Sequence, residues 1–495
     1  MPVGHQLLGE SMQPDLRSPD LRWEMLCENE KPLGHRSSVT IARVTALLLR
    51  RAFDRVNRVP ASRAPEPQID ERQTLSNGVP TSSLIRYATV MLAVTAACLP
   101  LYVVRWKYGP LSTTLLELLV VATIALYLCG RLQEGALRFH RSPYDLPITL
   151  LLLAGAGAVF VPPDRWHALG LYRAYFVEPI AIFYVGIDLL RRRGAVRGVL
   201  VGLGIGSSIF AALNVGAFFA SFAQGTFVLG SPPTALYTSS PEVAMYLEPP
   251  FALAAGFVMF ADRRRDRLLA LAWMVFLTPA LVLTLSRGAY LAIAVLAVVA
   301  IATSRARLPL AAAVVVVVVV LLQVPLVHKR LAGQFDLLDS QTTIRGRLSI
   351  FSDTLTMLRD HPIFGNGLGG YHYLFRGTIL EIYPHDVWLT FWVEVGLLGM
   401  VAFALIFFGL LYRGWRAYSQ ASGFYRALLW GVSGSLVLWG IHGLVDSPYW
   451  KNDMSIEFWI LAAFEIAAIR AIGERAISAS DGALEPAPRK SDNLI

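Results

Sequence analysis

The sequence predicts an all-α polytopic membrane protein of about twelve transmembrane helices, with one large, partly helical loop outside the cytoplasm. Three observations predict it. Hydrophobic residues make up 55% of the 495 residues and charged residues only 16%, well under the ~25% charged share of a soluble domain. The apolar residues gather into runs close to the ~20 that a helix needs to cross a bilayer. The arginines between those runs are dense on one side and sparse on the other.

Residues 1–83 are polar and rich in proline and arginine, with acidic residues first (Glu10, Asp15, Asp20, Glu24, Glu28, Glu30) and basic residues from Lys31 to Arg63. Within them "SSVTIARVTALLLRRAFDRV" has the pattern of a basic amphipathic helix on a membrane surface, but the flanking "PASRAPEPQ" favours a largely disordered cytoplasmic extension. Spans follow near 87–104, 111–130, 145–161, 169–190, 198–220, 242–260, 268–285, 287–303, 308–327, 387–412, 427–446 and 455–472. The third is short, and the seventh and eighth meet at "SRG" in a tight hairpin. A cytoplasmic tail, 473–495, ends the chain. The first strong apolar run begins only near Tyr87, so no cleavable signal peptide is expected.

Orientation comes from the loops. "RLQEGALRFHR", "RRRGAVR", "DRRRDR", "SRAR" and "RGWRAYSQASGFYR" together hold sixteen Lys and Arg, against four in the short loops of the other side. The positive-inside rule makes the first set, and with it both termini, cytoplasmic. Topology thus absorbs the net charge of +9, and no nucleic-acid partner is implied. Cys27, Cys98 and Cys129 lack the spacing of a disulfide framework or a zinc site.

Residues 328–386 form the long external loop, with Lys329, Arg330, Arg345, Arg347, Arg359 and Arg376. A long external loop escapes the charge rule, which leaves these residues open to function. "RGRLSIFSDTLTMLRDH" places Leu348, Phe351, Leu355 and Leu358 on one helical face, and "PIFGNGLGGYHYLF" ends that helix with proline and glycines. "GNGLGG" has neither a preceding strand nor a following Lys-Ser/Thr, so it is not read as a phosphate loop.

Ionisable residues at span ends carry the chemistry. Arg287, between Ser286 and Gly288, reads as an interfacial anchor or as a bidentate ligand for phosphate. Arg345 and Arg347 open the loop helix, where the dipole does not favour cations. They are solvated charge or ligands of an anion held between loop and bundle. Arg173 and Glu178 form a structural ion pair or line a substrate cavity. Glu242 and Glu248, six residues apart, point to roughly opposite faces of one helix. His385 starts the tenth span with Asp386 beside it. It reads as an interfacial ring or as a general base, with Asp386 as the group that orients it. His361, His372 and His385 match no metal spacing. Glu394 lies too far along its helix to partner His385 and reads as a structural or cavity-lining carboxylate.

"LSRGAYLAIAV", "RLSIFSDTLTMLRDHPIFGNGLGGY" and "HDVWLTFWVEVGLLG", in this order around a large loop, resemble the three successive blocks of the O-antigen ligase and polymerase superfamily. The resemblance covers roughly residues 170–446. It implies a GT-C-like membrane glycosyltransferase of the bacterial inner membrane with no cofactor and no metal. Such an enzyme moves a glycan from undecaprenyl pyrophosphate to an acceptor hydroxyl on the periplasmic side. The acceptor is lipid A-core in ligases, another lipid-linked glycan in polymerases of surface or exported polysaccharide, or a protein hydroxyl. By the resemblance, Arg287 and Arg347 hold the pyrophosphate and His385 is catalytic. Arg173, Arg345, Asp386 and Glu242 are further substrate-binding candidates. The chain departs from the pattern at Asp386, where Asn usually follows the histidine, and at "SSPEVAMYL", where many relatives have an Asn-rich sequence. A transporter or flippase of an amphiphilic anion is the rival reading. No internal repeat or matched pair of broken helices supports it.

Overall fold

A computed structural model describes residues 82–109, 111–137, 140–332, 343–371 and 383–484. The N-terminal extension expected over 1–83 lies almost wholly outside these, as do parts of the long loop and the end of the C-terminal tail.

Helices dominate: α1 Ser83–Ala97, α2 Leu115–Gln133, α3 Asp145–Ala158, α4 Arg165–Leu189, α5 Arg193–Ala223, α6 Ser240–Phe260 and α7 Arg264–Leu283. After them come α8 Arg287–Thr303, α9 Arg307–Gln323, α10 Pro325–Ala332, α11 Thr343–Asp360, α12 Val387–Gln420, α13 Gly423–His442 and α14 Asn452–Leu484. Every predicted apolar run is helical over most of its length. By length and composition, however, seven helices among the described residues qualify as membrane spans, or eight if α9 and the following turns of α10, bent by 90° at Val324, count as one broken span. The expected twelve is therefore not reached on that measure. Helices α1, α3 and α8 have only 15, 14 and 17 residues, and α14 is interrupted by Glu457, Glu465 and Arg470.

Two further departures have physical causes. The start of the second predicted span, Leu111–Thr114, is instead a strand (β2) paired antiparallel with Arg105–Tyr108 (β1). Helix α2 begins only where Thr114 and Glu117 form a reciprocal capping box. The tenth predicted span is broken at Gly396, whose φ of 72° and ψ of 177° are non-helical. The turn after α11 enters that break. Leu397 N–H donates to the Ile363 carbonyl (2.9 Å) and Asn366 N–H to that of Val393 (2.6 Å). A Cβ on residue 396 would lie 2.5 Å from the Ile363 oxygen, so glycine is required for both conformation and space.

The "GNGLGG" stretch is consequently a clamp. Leu368 N–H donates to the Ala158 carbonyl (3.2 Å) and Gly369 N–H to the Glu394 carboxylate (2.5 Å). Its N–H groups serve the protein, and Glu394, buried beneath it, is the structural carboxylate expected. Helix α11 forms as predicted, but its stripe is only partly inward. Leu358 is buried against Tyr371 and Val393, whereas Leu348 and Leu355 are exposed.

The core nearest the site is aromatic. Phe391 of α12 stacks on Phe403 (centroids 3.8 Å apart), with Tyr449 and Trp450 at 5.1 and 4.9 Å. Such ring pairs add to the burial of large apolar surfaces. This cluster joins the first turns of α12 to the connection between α13 and α14.

A candidate active site at one end of the bundle

Two backbone junctions meet at one end of the bundle. At the first, α7 gives way to α8 through Thr284, Leu285 and Ser286 in a short turn at "SRG", but the two helices do not pack side by side as the expected hairpin would. Leu285 has a φ of 51°, Ser286 caps α8 by accepting the Ala289 N–H (3.4 Å), and Arg287 is the first helical residue. Arg330 of α10 grips this turn, donating Nε–H to the Leu285 carbonyl (3.2 Å) and Nη2–H to that of Gly230 (3.4 Å). Arg287 lies within electrostatic reach of both Arg330 and Arg347. Three guanidinium groups converging in this way make a strongly anion-attracting region.

The second junction presents His385. Its φ of 52° is uncommon for a residue with a side chain, and it turns the chain sharply into α12. The ring Nδ1 lies 3.4 Å from Asp446 Oδ1. Arg347 of α11 donates Nη1–H to the His385 carbonyl (3.5 Å) and sets Nη2 3.9 Å from Asp446 Oδ2. His385 retains 32% side-chain exposure while Asp446 has 14%, so the histidine opens to the surroundings and the aspartate stands behind it. Burial alone would raise the Asp446 carboxyl. The hydrogen bond from His385 and the charges of His385, His442 and Arg347 outweigh that and hold it down at about 2.

Asp386 is the N-cap of α12, where its Oδ1 accepts the Leu389 N–H (2.8 Å). Burial raises its carboxyl, partly offset by the N–H groups of Leu389 and Trp388. Asn and Asp serve almost equally as N-caps, so the departure at this position preserves the local structure. At the histidine ring stands Asp446, missed in the sequence because it follows α13, 61 residues away. The only signal was a polar island, "HGLVDS", at the end of an apolar run. The α12 start is tied to that island by Val387 N–H to the Gly443 carbonyl (2.8 Å) and by Thr390 Oγ1 with Ser447 Oγ (2.8 Å).

The other candidates fall elsewhere. Arg173 is held by Glu117 (2.5 Å) and Glu178 (3.2 Å) and donates to the Ser112 carbonyl (3.0 Å). The structural ion pair is the reading these contacts favour. It sits where α4 loosens into a π-helical turn, Arg173–Val177. Glu242 pairs with Lys451 and with the Thr238 hydroxyl. Neither contact network includes His385. Arg345 lies on α11 two residues before Arg347, with its side chain outside the described residues, as is the whole of His372. Among the described residues no three His, Cys, Asp or Glu side chains are grouped to hold a metal.

Residues 269–404 match the family model of O-antigen ligase, a stretch that contains Arg287, Arg347 and His385 and stops short of Asp446. No curated protein matches the chain.

Proposed function

We propose that this chain, with its O-antigen ligase domain over residues 269–404, is a membrane glycosyltransferase. It would move a glycan from undecaprenyl pyrophosphate to an acceptor hydroxyl at the periplasmic face of the inner membrane. The observation that carries the reading is the meeting of His385, Asp446 and Arg347 beside Arg287 at one end of an otherwise apolar bundle.

The diphosphate of the donor sits against Arg287 and Arg347, with its polyprenyl chain in lipid. Asp446 accepts a hydrogen bond from Nδ1–H of His385, which fixes the tautomer in which Nε2 is the proton acceptor. The acceptor oxygen attacks the anomeric carbon as the bond to the diphosphate oxygen breaks, and its proton passes to Nε2. The leaving group departs as polyprenyl diphosphate with the bonding electrons, and the arginines stabilise the charge that develops there. Direct displacement inverts the anomeric configuration, and the His385 proton is then released to water. Arg345 is a second ligand candidate on the same helix as Arg347. Twelve spans, with both termini cytoplasmic, follow if α9 crosses as one broken span and the helices α1, α3, α8 and α14 cross as well.

The acceptor is lipid A-core or a growing surface polysaccharide, with a protein hydroxyl as the alternative within the same chemistry. Purified protein incubated with lipid-linked glycan and acceptor in detergent, where no gradient exists, tests the class. A glycosylated product supports the transferase, and substrate movement across proteoliposomes without product would overturn it in favour of a flippase. Among acceptors, a deletion strain whose core lacks long chains marks a ligase, and core bearing one repeat marks a polymerase.

A further inference from the structure

Beneath the arginines lies a second histidine–carboxylate pair that the reaction above does not use. Glu248 of α6 directly precedes Pro249 and Pro250. Neither proline has an N–H to give, so the carbonyls one turn back lose their helical partners. The Trp439 indole of α13 takes that of Met245 (2.8 Å), and Ser435 Oγ bonds the Pro249 carbonyl (3.3 Å). These bonds fix α13 against α6 where His442 Nδ1 lies 2.6 Å from Glu248 Oε1. Both side chains are buried, at 1% and 0% exposure.

The other edge of the His442 ring supports α8. A Cβ at Gly288 would stand 2.5 Å from His442 Cδ2, 2.7 Å from Nε2 and 3.0 Å from Val445 Cγ2. The first turn of α8 therefore rests on the imidazole itself, and Arg287 is the residue immediately before the point of contact. An apolar pair of equal volume would fill this space without the desolvation cost of two ionisable groups. Packing alone does not explain the choice, whereas the need for a ring held at a fixed angle does.

We propose that His442 and Glu248 are positioning residues that seat the first turn of α8 and so aim Arg287 at the donor diphosphate. The inference rests on the reading of Arg287 as a diphosphate ligand. Its test measures equilibrium binding of undecaprenyl diphosphate to the purified full-length protein, alongside donor KM and kcat. His442→Gln and Glu248→Gln should weaken binding about tenfold, equivalent to ~1.4 kcal/mol. His385→Ala should lower kcat on the order of 10²–10⁴-fold and bind normally. Gly288→Ala should also weaken binding, and adding His442→Ala should restore part of it by making room for the new methyl group, a non-additivity that a general loss of stability does not produce. Wild-type binding in folded His442→Gln and Glu248→Gln overturns the inference, provided that Arg287→Gln binds weakly. Wild-type binding in Arg287→Gln overturns the diphosphate reading itself. If Gly288→Ala does not fold, the two glutamine variants decide.

Discussion

His385 holds a left-handed backbone conformation, which a side-chain-bearing residue adopts at a cost of ~1–3 kcal/mol. The surroundings that enforce it are the same groups that prepare the ring for proton transfer. Arg347 holds its carbonyl, Asp446 holds Nδ1, and the Asp386 cap fixes the helix that follows. His385→Ala should lower kcat by on the order of 10²–10⁴, the range of a lost general base, with donor binding retained. Asp446→Asn keeps the shape but removes the charge that favours the Nδ1–H tautomer. It should lower kcat/KM about 10²-fold or more, with glycan transfer in detergent as the readout. Asp446 also links stability to pH. Its carboxyl stands at about 2, below the ordinary ~3.9. The stabilisation, on the order of 2 kcal/mol, is complete above that ordinary value and is lost as pH falls through about 2. Melting profiles of wild type and Asp446→Asn should therefore differ at pH 6 and converge toward pH 2–3. At this scale the sequence was informative where chemistry follows the chain. Local context singles out Arg287, Arg347 and His385 and the resemblance gives them their roles, but neither points to a partner supplied by another helix end.

Helix α12 shows why a hydropathy pattern and a helix boundary differ. Its apolar run is unbroken across Gly396, and nothing in periodicity marks a position where another segment's carbonyl must enter. Gly396 and Gly399 fall in the block that carries the resemblance, while the physical reason for Gly396, the Ile363 carbonyl in the break, lies in the fold. The break matters because the short helix before it carries the His385 turn and the Glu394 clamp. Gly396→Ala should cost ~2 kcal/mol or more, from the positive φ and the clash together. The measured signs would be a lowered melting temperature and a kcat reduced by displacement of His385. An unchanged melting temperature would mean that the break tolerates a side chain and has no enforcing role. Helix α11 teaches the converse lesson. Its existence was readable from its period, but which part of its stripe turns inward was not, because Leu358 is covered by Tyr371 and Val393 from beyond the helix.

At the scale of the whole molecule, the proposed chemistry requires that the His385 end of the bundle face away from the cytoplasm. The arginine-rich turns, such as the one before α7, should face toward it. The sequence predicts this orientation from charge asymmetry, which is a sum over many loops and survives errors at any one boundary. The number of crossings depends on lengths near the threshold, as in α3 with 14 residues, and was correspondingly fragile. A cysteine replacing exposed Asp360 on α11 should react with a membrane-impermeant thiol reagent in cells whose outer membrane has been permeabilised. One replacing exposed Arg264, at the start of α7, should react only after the inner membrane is opened. The substitutions belong in a background lacking Cys27, Cys98 and Cys129, since Cys129 is itself exposed. The reverse pattern would put His385 and the arginines in the cytoplasm. There, nucleotide-linked donors compete with lipid-linked ones for the same cationic site, and the reaction assigned here would lose its basis, whatever the kinetics of the His385 variant.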